Sequence, residues 1–417
     1  MKIGYASRTL GLPASYHSVT LKNATEENRN SIIRHNLNVL HETLRYNAAN
    51  GILLFRISSD LVPFASGPIP PIPWQKTFAS ELQTIGAFIK GNGLRVSMHP
   101  GQYTVLSSFN EQTAENARKE LQYHADLLDC MGLGSTHKIV LHLGGAYGDK
   151  KTTVARFAKR FNHLDASIKN RLTLENDEKL YAIDEVLQAA NQCGIPAVFD
   201  VLHHTINPPK NSDSDLYDWI LRCAETWNEK DGTQKIHYSQ QNPSKKTGAH
   251  SDTIAVKPFL DFCRALPQKE IDMMLEVKDK DLSALKCIHC LTENGSIAVL
   301  EHAWAKYKYT VLEHSAADYQ TIRNLLKKKT SYPAVRFYEL IEHALQTGVS
   351  EDSFRNAAQH VWGYFTQLAS PAQKQKFLLL SSRANTRQEQ KLLKRFLLRL
   401  AQQYNETYLL SSYYFIL

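Results

Sequence analysis

The chain runs to 417 residues, carries a formal net charge of +8 and is 43% hydrophobic. That length exceeds one typical domain, the apolar content can build a large core with something smaller attached, and no apolar run reaches the roughly 18 residues a membrane span needs. The positive balance fits a polyanionic partner, but many basic proteins bind none, so charge alone decides nothing.

The opening stretch MKIGYAS reads as a strand with no cleavable signal ahead of it. The six cysteines, Cys130, Cys193, Cys223, Cys263, Cys287 and Cys290, are scattered. A soluble protein of the reducing cytoplasm is therefore expected. Cys287-Ile-His-Cys290 has the spacing of a redox or zinc pair but lacks a second ligand pair, and buried structural cysteines account for it.

In chain order, short apolar runs rich in β-branched residues predict strands at 3–7, 52–58, 94–99, 138–143, 172–176, 197–203, 235–239 and 272–277. Between and after them, apolar residues at three-to-four spacing predict helices at 25–49, 77–91, 112–131, 151–168, 182–193, 213–227, 256–265 and 279–290. Gly194 ahead of Ile195-Pro196 and Asp149 at a helix start support the boundaries. Parallel strands need crossover helices, so eight such units predict an α/β chain closed as a (β/α)8 TIM barrel over residues 1–295. From 296 to 417 the pattern is amphipathic helix throughout, one helix being opened by Ser370-Pro371, which predicts a small all-α domain. Its lysine and arginine clusters at 327–329 and 391–399 suit either phosphate contacts or solvated helix faces.

A barrel places its functional side chains where the strands end. The predicted ends carry His99, His142, Glu175, Asp200 with His203, His237 and Glu276, and His250 follows in the loop GAHSD. One histidine at a strand end is usually a hydrogen-bonded structural residue, whereas six consecutive strands delivering His, Asp or Glu to one rim point to a multi-metal cluster with a bridging carboxylate. Such a cluster suits phosphodiester hydrolysis. In MHPGQYT, Gln102 and Tyr103 follow a candidate ligand and could wedge into stacked bases, although core packing would equally explain Tyr103.

Through FRISSDLVPFAS, SMHPGQY, VLHLGGAYG, LTLENDEK, KIHYS, GAHSD and MLEVKDK, residues 1 to about 290 resemble the UV damage endonucleases, metal-dependent barrels related to apurinic endonuclease IV. The resemblance implies a DNA-repair enzyme that recognises photodimers, and often abasic sites, in duplex DNA. It would cut immediately 5′ to the lesion with two or three divalent ions, manganese as a rule. Carried over, it gives one ion His99, His142 and Glu175, a second Glu175, Asp200, His237 and Glu276, and a third His203 and His250, with Glu175 as the bridge. It makes Glu175, Lys235, His237 and Glu276 catalytic, with Lys235 either carboxylated or an unmodified lysine facing phosphate. Gln102 and Tyr103 would probe the lesion and Tyr5 would lie beside the DNA groove.

One departure stands out: Gly67 occupies a position where relatives carry a histidine, which keeps open a lesion-binding protein with reduced catalysis. A metal-dependent sugar isomerase on the same barrel is a further alternative. The tail, through HAWAKYKYTVLEHSAADYQTIRNLL, resembles a YbgA-like helical domain of unsettled function.

Overall fold

The computed structural model describes residues 1–210, 212–268 and 270–417. It separates into two compact units, one made of residues 1–254 and 261–288, the other of 255–260 and 289–417. In the first, eight strands of four residues each form a closed, all-parallel barrel in sequential order: β1 (Ile3–Ala6), β2 (Leu54–Ile57), β3 (Arg95–Met98), β4 (Ile139–His142), β5 (Leu172–Glu175), β6 (Ala197–Asp200), β7 (Lys235–Tyr238) and β8 (Asp272–Leu275). β8 closes on β1, with Gly4 opposite Met274. A Cβ on Gly4 would stand 1.8 Å from the Leu54 carbonyl oxygen, so the close approach of β1 to β2 requires glycine there.

Side chains alternate along each strand, one set facing the surrounding helices and the other filling the barrel. Leu172 and Leu174, Ile236 and Tyr238, and Met273 and Leu275 are buried apolar residues alternating with the polar ones that carry the interior. Towards the amino-terminal end, Arg95 pairs with Asp272 at 2.8 Å and donates to the carbonyls of Thr136 and Asp231, while Lys138 pairs with Asp231. These buried charges are each met by a counter-charge or a carbonyl, which offsets their desolvation. At the other end of the same inward rows stand His99, His142, Glu175, His237 and Glu276.

The helices follow the predicted order with local differences. The stretch 77–91 breaks at Phe78 into Trp74–Thr77 and Ala79–Gly91, and 151–168 becomes Lys150–Asn162 plus Ala166–Lys169. Asp149 caps its helix through the amides of Lys151 and Thr152, and Gly194 ends another at φ 64°. The largest correction is at 197–203, read as one strand. Asp200 ends β6 and its Oδ1 accepts from the His203 amide at 2.7 Å, so a short helix, Val201–Ile206, starts at once.

The second unit is helical, from Ile297–His314 to Thr407–Leu410. Its core gathers Tyr309, Phe354, Val361, Phe365, Leu397 and Tyr414. Ser370 accepts from the Gln373 amide with Pro371 at the first helical position, as expected from the sequence. Among the described residues no helix is long and apolar enough to cross a membrane.

Candidate metal centre at the barrel mouth

Glu175 ends β5 and is 1% exposed. Its Oε2 lies 3.1 Å from His99 Nε2 and 3.7 Å from His142 Nε2, and its Oε1 lies 2.7 Å from His237 Nδ1 and 3.9 Å from His203 Nδ1. Strand register explains the convergence: His142 is opposite Glu175 across β4 and β5, and Asp200 is opposite His237 across β6 and β7. Three groups have ligand atoms within 4.8 Å of one another, namely His99, His142 and Glu175; Glu175, His237 and Glu276; and Glu175, Asp200 and His203. Glu175 is common to all three.

The third group adds a local relationship: Asp200 Oδ1 lies 3.7 Å from His203 Nδ1, because the turn that Asp200 caps brings His203 back beside it, while strand register keeps Asp200 opposite His237. His250 stands at the edge of the cluster, its Nε2 3.7 Å from Glu276 Oε2 and its ring 6.4 Å from that of His203.

Several features fit a site built for cations. His99 Nδ1 is 3.0 Å from the Pro100 carbonyl and His203 Nδ1 is 2.9 Å from that of Asn176. Donation to those carbonyls fixes each tautomer and leaves Nε2 free to ligate. His142 Nδ1 and Asp200 Oδ2 are buried with no hydrogen-bond partner, which is costly unless something else satisfies them. Burial would raise the Glu175 carboxyl, but His237 and His142 hold it well below the usual range. Burial, reinforced by Glu175 and Glu276 against the opposing pull of His203, pushes Asp200 up to about 8. So many acidic oxygens in one dry place call for positive charge.

Two neighbours were not singled out in the sequence. Arg56, at the end of β2, pairs with Glu276 and touches the His237 ring. Ser59 is 3.0 Å from the His99 carbonyl, to which it donates, and 2.9 Å from Nε2 of the buried His124, so it braces the backbone behind a ligand.

The remaining expectations divide. Gln102 and Tyr103 are exposed at the rim, Tyr103 by 83%, which removes core packing as its explanation. Tyr5 is a correction: it is fully buried on the helix side of β1, with its hydroxyl donating to Asn47 at 2.7 Å and 2.6 Å from that of Thr9, so it cannot lie beside a DNA groove. Lys235 is 1% exposed, inside the barrel one inward position below His237, and its amine has no hydrogen-bond partner. An unmodified lysine facing phosphate does not fit that position. Burial, then Arg95 and Arg56, hold its pKa well below the ordinary lysine value. Cys287 is buried and Cys290 partly so, and among the described residues no candidate metal group includes a cysteine.

The cluster floors a cavity of about 1110 Å³ whose rim includes Ser7, Gly67, Pro68, Tyr103 and Lys119. Residues 1–308 match the family described as UV-endonuclease UvdE. The chain belongs to that family. Residues 308–417 match a second one, described only as a protein of unknown function, DUF1722, in keeping with the YbgA-like tail. The UV DNA damage endonuclease of Clostridium perfringens is 40% identical over 352 residues, 83% of either chain. That of Bacillus cereus strain Q1 is 36% identical over 304 residues, covering 70% of this chain and 95% of its own. The crystal structure of SacUVDE superposes with a TM-score of 0.66 at 38% identity, over 70% of this chain and 98% of that one.

Proposed function

We propose that this chain is a DNA-repair endonuclease that recognises UV photoproducts, and abasic sites, in duplex DNA and hydrolyses the phosphodiester immediately 5′ to the lesion. The observation that carries this reading is the set of three ligand groups sharing Glu175 at the floor of an open cavity under the exposed Tyr103. Membership of the UV-endonuclease family supports the substrate; the ligand chemistry, imidazole and carboxylate, supports two or three divalent ions such as manganese.

Ions held there would neutralise the phosphodiester and activate the attacking water. The protein's own part is positional. Glu175 bridges the groups, His99 and His203 present Nε2 from rings locked by backbone carbonyls, and His142, Asp200, His237 and Glu276 complete the set, with His250 at its edge. Tyr103 and Gln102 project from the rim, where they can fill the gap left by a flipped lesion whose stacking is already weakened. Lys235, buried, unpartnered and with its charged form disfavoured, is suited to carboxylation, which would add an anionic group beneath the cluster. The barrel, residues 1–295, carries all of these side chains, and we assign residues 296–417 to a separate helical module.

Irradiated supercoiled plasmid incubated with the protein and manganese should become nicked circles bearing 3′-hydroxyl and 5′-phosphate ends. Equal nicking of unirradiated plasmid would remove the lesion from the proposal. Gly67 gives one reason to keep a second reading, lesion binding with reduced catalysis, which binding to a lesion duplex without cutting under several metals would support.

A further inference from the structure

The second unit holds a cavity of about 760 Å³ that the proposed nuclease reaction does not use. One wall is the helix Arg387–Gln403, whose Arg387, Lys391, Lys394 and Arg395 recur at helical spacing and all line the space. Lys394 is engaged, 2.8 Å from Glu313 and 4.4 Å above the Tyr414 ring. Arg387, Lys391 and Arg395 are exposed and have no ion-pair partner among the described residues. Glu313 is the one side-chain carboxylate among the described lining residues. Even with a terminal carboxylate on Leu417 counted, positive charge remains in excess by two.

A solvated basic helix needs no ligand, and its cations normally point into open water. Here they border a concavity, where converging like charges raise the local potential and favour an anion. The other walls are mixed, with Leu345, Val349, Phe354 and Phe415 forming apolar patches beside polar Gln346, Thr347 and Asn385. Tyr414, fully buried, also lines the cavity, with the Lys394 amine above its ring. The space is larger than a bare oxyanion needs and lies within the roughly 300–1,000 Å³ of small-molecule sites. A phosphate monoester carries about −1.5 to −2 charges at neutral pH and suits two arginine forks.

We propose that this cavity binds the 5′-phosphate monoester of a nucleoside, its phosphate against Arg387, Lys391 and Arg395 and its base against the apolar patches of the opposite wall. Two sources share that chemistry, a free nucleoside monophosphate and the 5′-phosphorylated end of a nucleic-acid strand. All the residues involved belong to the second unit, so the proposal stands or falls separately from the nuclease reading.

The test is calorimetric titration of the full chain in chelator, which keeps the barrel centre metal-free. The probes are AMP, adenosine, inorganic phosphate and a short oligonucleotide with and without a 5′ phosphate. AMP should saturate one site and bind at least about tenfold more tightly than adenosine or phosphate. The R387Q/K391Q/R395Q variant changes exposed side chains only, and should weaken AMP by about tenfold or more with an unchanged unfolding temperature. The phosphorylated oligonucleotide binding as well as AMP assigns the strand end, and AMP binding alone assigns the free nucleotide. Adenosine binding as tightly as AMP, AMP binding indifferent to the triple substitution, or no saturable binding of either phosphorylated probe overturns the proposal.

Discussion

Arg56 reaches from β2 past β1 to the carboxylate of Glu276, with its guanidinium 3.3 Å from Nε2 of His237. A fixed cation thus sits against two residues of the candidate metal centre, and it is the strongest of the charges that hold Glu276 below the usual carboxylate range against burial. Like charges repel most where water is excluded. Arg56→Gln should therefore tighten manganese binding by about tenfold, read by calorimetry. Weaker binding in the variant would mean that the guanidinium chiefly orients Glu276, and the competition argument would fail.

Glu175 is the residue on which all three ligand groups converge. Glu175→Gln keeps the shape and removes the charge, so nicking of irradiated plasmid should fall by about 10³ or more, and the stoichiometry of bound manganese should drop. Because a carboxyl held below its usual range contributes stability to the folded chain, the variant should also unfold somewhat more easily than the parent in the absence of metal. Undiminished nicking would exclude Glu175 as the bridge.

The buried Lys235 amine has no hydrogen-bond partner, and burial, then Arg95 and Arg56, disfavour its charged form. A neutral amine is what reacts with carbon dioxide, giving a carbamate and a released proton. Protein equilibrated with ¹³C-bicarbonate should show one carbamate resonance that is absent from Lys235→Met. A spectrum identical to that of the variant would leave Lys235 unmodified.

At the opposite end of the barrel, His137 is buried and its Nδ1 accepts the Val96 amide at 3.1 Å, so the neutral ring is the one the fold uses. Burial, then Arg171 and Arg95, lower its pKa from 6.5 to about 4. Because the folded value is depressed, its contribution is complete above 6.5 and is lost as pH falls through about 4. His137→Gln should cost about 1–2 kcal/mol at neutral pH from the lost hydrogen bond. The gap from the parent in urea midpoint should then narrow on acidification. A gap independent of pH would show that His137 does not titrate with folding.

What the sequence could show depended on periodicity. His99, His142, Glu175 and His237 close runs of alternating strand character, so their arrival at one rim followed from the barrel. Asp200 and His203 were placed at that rim too, but not their pairing, because AVFDVLH is as good a strand by composition as by length. Only the Asp200 side chain capping the His203 amide turns the chain there. Tyr5 and Arg56 fail together: Tyr5 packs edge-on against Phe55 on the helix side, 5.3 Å between rings, which forces Arg56 inward. A lone arginine in LFRI reads as a solvent-facing strand end until that neighbour is known.

Gly67 lines the same cavity as His99 and Glu276, in a turn where its amide donates to the Phe64 carbonyl at 3.2 Å. A Cβ built on it would lie 3.1 Å from Phe64 Cδ1 and 3.2 Å from Phe64 Cα. An imidazole at 67 therefore enters the cavity only if Phe64, itself at φ 57°, yields by a few tenths of an ångström. That crowding should cost about 1 kcal/mol of stability. Gly67→Ala carries the same crowding without the ring, so it is the reference. If the cavity is the nuclease site, Gly67→His should nick irradiated DNA about tenfold faster than Gly67→Ala, the gain expected of one positioned acid–base or phosphate-contacting group. Equal rates in the two variants would show that the missing imidazole has no part in this chain's chemistry, and that the ligands from His99 to Glu276 suffice without it.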